Sequence, residues 1–220
     1  MNKQKKLVLF DLDKTLITCD SLKRLVFFLL KRDFINFSYK FPSLILITFK
    51  HLFSSCNHKT DTKSELFSII LKGYDRKQIK KFSIEFSEYI FFNFKSEKIY
   101  KILLDSKKLR SEIYIVTASG DFYCKFLAKL FSSKLISTKV NLSKKKLGKI
   151  IGKNCFGFQK KYRILKEIKN FKGKHSTFYT DSKTDKPLLN ACSKGYLVNY
   201  WKYNSIYFNL IDIIFCVLLE

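Results

Sequence analysis

Three short apolar runs in the chain end alike. Leu7-Val8-Leu9-Phe10 delivers Asp11-Leu12-Asp13-Lys14-Thr15, Ile113-Tyr114-Ile115-Val116 delivers Thr117-Ala118-Ser119-Gly120, and Thr177-Phe178-Tyr179-Thr180 delivers Asp181-Ser182-Lys183-Thr184-Asp185. Apolar runs of this length predict buried strands of a parallel sheet, each with a helix-compatible segment after it. Helix-like apolar spacing also occurs over Ser64–Leu71, Ile79–Phe94 and about Ser96–Leu109. Leu135–Ile151 predicts a strand and a lysine-rich hairpin, and Gly195–Val198 a last core strand. From Lys161, apolar residues follow at three, four and seven positions, so a helix there turns that lysine inward. Lys160 competes, but shares only Ile164 at helical spacing.

Open α/β sheets gather their chemistry at the carboxyl ends of strands. Asp11 and Asp13 emerge there together, and two close carboxylates can divide into an ionised nucleophile and a proton carrier. The bland alternative is a solvated strand end, because Asp is common at turns. The other strand ends add a hydroxyl at Thr117 and carboxylates at Asp181 and Asp185, with Lys161 as the cation. Asp185 can also cap a helix through Lys186-Pro187-Leu188-Leu189. Hard carboxylate oxygens suit Mg²⁺, usually held by one or two carboxylates, waters and a substrate phosphate. Phosphoryl transfer needs in-line positioning and positive charge on the equatorial oxygens. Mg²⁺ and Lys161 supply the charge, while Thr117 and backbone N–H groups around Ala118 can hold a phosphate oxygen.

In these four motifs, taken in order, the chain resembles the haloacid dehalogenase superfamily, in particular its phosphoserine-phosphatase-like branch, subfamily IB. The motifs are Asp-x-Asp-x-Thr at Asp11–Thr15, the strand-ending Thr117, the helix-opening Lys161, and Asp-x-x-x-Asp at Asp181–Asp185. The resemblance runs from about Lys6 to about Val198. It implies a Rossmann-like, three-layer α/β fold with a parallel sheet and an inserted helical cap of C1 type. The core is expected at 1–19 and 95–202, the cap at 20–94, and an apolar C-terminal segment at 203–220. Asp11 is implied as the nucleophile that becomes an aspartyl-phosphate, and Asp13 as the acid and base. Thr117, Ala118 and Lys161 are implied to bind the phosphoryl group. Asp11, Asp13 and Asp181 are implied to hold Mg²⁺, with Asp185 in support. Lys14 stands where many members have glycine and so predicts a more ordinary backbone there. Ser182 likewise replaces a glycine common in the serine phosphatases. Asp13 argues against the dehalogenase branch itself.

Composition narrows the partners. The net charge is +25, from 43 basic and 18 acidic residues, but Arg occurs only at 24, 32, 76, 110 and 163. Nucleic-acid sites favour Arg and exposed aromatics in a recognisable module, so no nucleic-acid partner is expected. Leu25–Phe53 is apolar and aromatic with Lys31, Arg32, Lys40 and Lys50 spaced through it, which suits either an ordinary cap or peripheral contact with an anionic membrane. Residues 203–220 are nearly uncharged but marginal for spanning, with Asp212 at their centre. The early cap segment and Asp181-Ser182-Lys183-Thr184-Asp185-Lys186-Pro187-Leu188-Leu189 resemble the C-type phosphatidylglycerophosphatases. The expected partner is thus a phosphorylated small molecule or a lipid head group. The rival readings are a soluble-metabolite phosphatase of phosphoserine type and a non-catalytic basic binding protein. Six cysteines without CxxC spacing and no signal-type apolar run predict reduced thiols in a cytoplasmic protein, at the inner membrane face if the substrate is a lipid. His51, Cys56 and His58 lack a clear fourth ligand and read as surface residues.

Overall fold

A computed structural model describes residues 6–52, 59–169 and 171–198, with side chains outside 48–52 and 59–61. Among the described residues six strands form one sheet in the order β4-β3-β2-β1-β5-β6. These are β1 (Leu7–Phe10), β2 (Glu112–Gly120), β3 (Lys134–Val140), β4 (Ile150–Ile151), β5 (Ser176–Thr180) and β6 (Lys194–Leu197). All pairings are parallel except that of β3 with β4. The central strand β1 is buried on both faces, which is why it reads as continuous apolar sequence rather than alternating. Its side chains nevertheless divide by the period of two. Val8 and Phe10 join one apolar cluster, while Leu7 and Leu9 join the other across the sheet.

The helices supply the outer layers. They are α1 (Ser21–Arg32), α2 (Phe34–Ser38), α3 (Phe41–Leu52), α4 (Lys59–Leu71), α5 (Arg76–Phe94), α6 (Glu97–Lys108), α7 (Asp121–Leu130), α8 (Phe158–Glu167) and α9 (Lys186–Leu189). The smaller cluster collects Ile164 and Ile168 around α8 and Leu188 of α9. The larger one runs unbroken from Val8 and Phe10 through α5, α6 and α7 into α1 and α4. The chain leaves the sheet through the turn Leu12–Leu16 and returns at Lys95, where Ile17 and Lys95 pair antiparallel. The Thr18 N–H donates to the Phe94 carbonyl and the Ser96 N–H to the Leu16 carbonyl, each at 2.8 Å. Helices α1–α5 lie between these crossings. The last of them starts on a capping box of Asp75 and Gln78 and packs on α7, with Phe86 edge-on to Tyr123 at 5.4 Å.

Several expectations shift. β6 starts one residue early and is an exposed edge strand. α8 begins at Phe158, three residues ahead of Lys161. Lys14 does not have an ordinary backbone. Its φ of 53° is left-handed, because the turn after β1 demands it whatever residue stands there. Cys19, Cys124, Cys155 and Cys192 are unpaired, the middle two buried. Residues 203–220, Cys56, His58 and the His51 side chain lie outside the described residues. Among the described residues no helix is long and apolar enough to cross a membrane.

Candidate active site

The carboxyl ends of β2, β1 and β5, three neighbours at the middle of the sheet, deliver the chemistry to one place. Asp11 follows β1 directly, its N–H held by the Tyr179 carbonyl of β5 at 2.8 Å. Asp11 Oδ1 accepts the Leu12 N–H at 2.8 Å and pairs with Lys160 Nζ at 2.9 Å. Asp11 Oδ2 lies 3.3 Å from the Thr180 hydroxyl and keeps lone pairs to spare. Lys160 also donates to Asp185 Oδ2 at 2.6 Å, and Thr180 donates to the same oxygen at 2.7 Å. Asp185 stands at the start of α9 but its side chain makes no capping bond there; it faces the lysine instead.

The lysine expected at 161 is therefore corrected to Lys160. Because α8 starts at Phe158, its inward row is Lys160, Ile164 and Ile168, while Leu165 is 53% exposed. Lys161 is only half-buried and lies outside the cavity. Burial opposes charge on Lys160, but Asp11 and Asp185 outweigh it and hold the ammonium well above its ordinary range. Burial pushes the Asp11 carboxyl up to about 6, while the charge of Lys160 works to keep it ionised.

Asp13 has a different environment. Its Oδ1 accepts the Ser21 N–H at the start of α1 at 2.7 Å, and Oδ2 accepts the Ser119 hydroxyl at 2.6 Å. The Ser21 hydroxyl lies 3.0 Å from both Ser119 and Tyr123. Ser119 has one proton, so with Asp13 ionised the chain runs from Tyr123 to Ser21 to Ser119 to Asp13. Burial and then the nearby Asp20 raise Asp13 to about 6, partly offset by the Ser119 and Ser21 bonds. With no lysine paired to it, Asp13 is the better proton carrier of the two.

One cavity of about 220 Å³ is lined by Asp11, Asp13, Thr117, Ala118, Lys160, Asp181 and Asp185. All the expected site residues except Lys161 are thus brought together. Lys14 joins them on the rim, where its charge opposes the rise that burial gives Asp181. A larger hollow of about 690 Å³ between α5, α7 and β3 is lined by Arg76, Lys80, Lys125 and Lys129 but by none of these carboxylates. The smaller cavity, which gathers the carboxylates and Lys160, is the candidate site.

A scan against protein families matches residues 8–190 to the haloacid dehalogenase-like hydrolases. The chain belongs to this family. No curated protein matches it significantly. Among solved structures, a protein of unknown function from Bordetella pertussis Tohama I is similar at 21% identity and a TM-score of 0.70, over 87% of this chain and 88% of that one. A substrate-bound phosphoserine phosphatase is similar at 15% identity and a TM-score of 0.58, over 88% and 86%. A phospho-aspartyl intermediate analogue of phosphoserine phosphatase gives 14%, 0.52, and 88% and 86%. At these identities the likeness is one of fold.

The donor set of this haloacid dehalogenase-like hydrolase can be tested against a metal ion. Among the described residues, no three His, Cys, Asp or Glu side chains are arranged to hold one by themselves. Mg²⁺ does not require that, since it keeps several waters and takes one or two carboxylates. Two observations fit it. Asp11 Oδ2 has lone pairs to spare, and Asp185 Oδ1 is buried without a hydrogen-bond partner among the described residues. Burial raises the carboxyls of Asp11, Asp13 and Asp181 in this cavity, the condition a cation relieves. Residues the sequence did not single out include Thr180, which donates to Asp185 of the hydrolase's cavity, and Lys63, which lines that cavity. Thr180 closes its strand as an ordinary β-branched residue, and Lys63 sits in a helix with no motif around it.

Proposed function

We propose that this hydrolase is a Mg²⁺-dependent phosphatase that hydrolyses a phosphomonoester through an aspartyl-phosphate on Asp11. The observation that carries the reading is the Lys160 ammonium between Asp11 and Asp185, at 2.9 and 2.6 Å, with the differently held Asp13 beside it. Asp11 attacks phosphorus while the bond to the leaving oxygen breaks in line. Asp13 gives its proton to that oxygen. It then takes a proton from the water that attacks the aspartyl-phosphate, which releases phosphate and restores Asp11. Lys160 holds Asp11 ionised and offsets charge on the phosphoryl oxygens, and Thr117 with the backbone at Ala118 positions one of them. Asp11 and Asp181 carboxylates and the Asp13 carbonyl would hold Mg²⁺, which when bound supplies positive charge to the phosphoryl oxygens. Asp185 supports the set by fixing Lys160. Helices α1–α5, whose α1 starts beside Asp13, serve as the cap.

For the substrate we favour a membrane-proximal phosphate such as phosphatidylglycerol phosphate. The support is an apolar, aromatic surface on α2, α3 and the turn between them, where Phe34, Ile35, Tyr39 and Leu46 are exposed, close in sequence to Lys31 and Arg32. A soluble ester such as phosphoserine is the rival. The test is Mg²⁺-dependent phosphate release from phosphatidylglycerol phosphate, phosphoserine and an aryl phosphate, with Asp11→Asn beside the wild type. Release that survives in the variant would refute the mechanism. A protein that ignores anionic vesicles at low salt would remove the lipid reading.

A further inference from the structure

The cavity holds three lysines in different electrical circumstances. Lys160 is neutralised by two carboxylates, and Lys14 is exposed on the rim near Asp181. Lys63, half-buried in α4, instead donates to a neutral atom, the Ala118 carbonyl of β2, at 2.8 Å. Among the described residues no carboxylate lies within ion-pair distance of it. Crowding by the walls depresses its pKa, and the charges that oppose this most are Asp13 and Asp20. It lines the same cavity as Asp13 and Asp20, and it reaches that cavity from α4 rather than from the sheet.

The position is built. Ser64, the next residue, accepts the Ile150 N–H on its hydroxyl at 3.0 Å, which ties α4 to the hairpin after β3. Gly148 of that hairpin has a φ of +81° and packs so closely that a Cβ would stand 2.3 Å from Ser68 Cα. An ammonium has three donors, and one is spent on Ala118. A partly desolvated cation with donors to spare is completed by an anion, through charge-assisted bonds.

We infer that Lys63 is a specificity-determining residue that binds a second anionic group, a carboxylate or a phosphodiester, on the alcohol portion of the phosphomonoester. The inference rests on the phosphatase reading and adds the substrate class to it. The plain alternative is that Lys63 only latches α4 to β2. Lys63→Gln keeps a donor for Ala118 but removes the charge, and Lys63→Arg keeps the charge.

The experiment compares kcat/KM for phosphoserine, phosphatidylglycerol phosphate and phenyl phosphate, with Mg²⁺ present, in the wild type and both variants. The readout is each anionic ester's preference over phenyl phosphate. Lys63→Gln should lower that preference by about 10- to 100-fold, mainly through KM, as expected for a lost charge-assisted bond. Lys63→Arg should restore most of it. Whichever anionic ester shows the drop identifies the group as carboxylate or phosphodiester. An unchanged preference in Lys63→Gln, or equal loss on all esters, overturns the inference and leaves the phosphatase standing. So does a wild type with no preference for either anionic ester, even if Lys63→Gln fails to fold. A wild type that hydrolyses none of the three overturns the phosphatase reading, and the inference with it.

Discussion

At the scale of single residues, neighbours in sequence meet different fates. Lys160 bridges two buried carboxylates, while Lys161 is one position round the helix and half-buried. Removing one partner of a buried ion pair costs about 3–5 kcal/mol, because the remaining charge is left uncompensated. Lys160→Met should therefore unfold at markedly lower denaturant and lose turnover. Lys161→Met should stay within about 0.5 kcal/mol of wild type. Equal effects in chemical denaturation would refute the assignment. Lys14 offers the opposite case. A non-glycine residue in the left-handed region costs about 1–2 kcal/mol, partly offset in a glycine variant by a more flexible unfolded chain. Lys14→Gly should raise the denaturation midpoint modestly without changing its slope. Asp13 carries a pH signature. Its carboxyl titrates near 6 when folded and 3.8 when unfolded, so the folded state holds the extra proton between these values. By linkage its contribution to stability falls as pH rises through about 4 to 6 and stays reduced above. With divalent metal chelated, Asp13→Asn should gain on wild type by on the order of 2 kcal/mol over that window. A constant difference from pH 4 to 7 would show that the cavity does not raise this group.

At the scale of elements, what was legible was the alternation of buried strand and functional terminus. The runs at Leu7–Phe10, Ile113–Val116 and Thr177–Thr180 declare themselves because a central parallel strand is apolar on both faces. Helix starts were harder. The start of α8 at Phe158 follows Gly157 in a positive-φ turn and is marked by no side-chain cap, so nothing local announced that the inward row begins at Lys160. The hairpin's hold on α4 was equally silent, since Gly148 meets Ser68 across 80 residues of sequence. A Gly148→Val variant adds both strain at a φ of +81° and a collision with the α4 backbone. It should lose about 2 kcal/mol or more of stability, and limited proteolysis should reach α4 first.

At the scale of the molecule, the helices between Ile17 and Lys95 share a continuous apolar cluster with the sheet. Ser21 lies where these helices meet the core and touches Asp13 through both its N–H and its hydroxyl chain. Seating of α1 and protonation of Asp13 are thereby linked. On the proposed function, the buried carboxylates would also link a bound metal to stability. Mg²⁺ should raise the unfolding temperature more at pH 7, where the carboxylates are ionised, than at pH 5, where protons compete for them. Equal shifts at the two pH values, read by differential scanning fluorimetry, would place the metal elsewhere.

The sequence alone determined the α/β class and that Asp11, Asp13, Thr117 and Asp181 would meet, because strand ends in one parallel sheet converge whatever the loops between them do. Only the tertiary structure decided which lysine enters, that Asp185 holds it rather than capping α9, and that Lys63 reaches the cavity from α4. Those outcomes depend on helix phase and on contacts between residues far apart in the chain. Apolar periodicity fixes phase only to within about one residue, and one residue turns a helical side chain by about 100°.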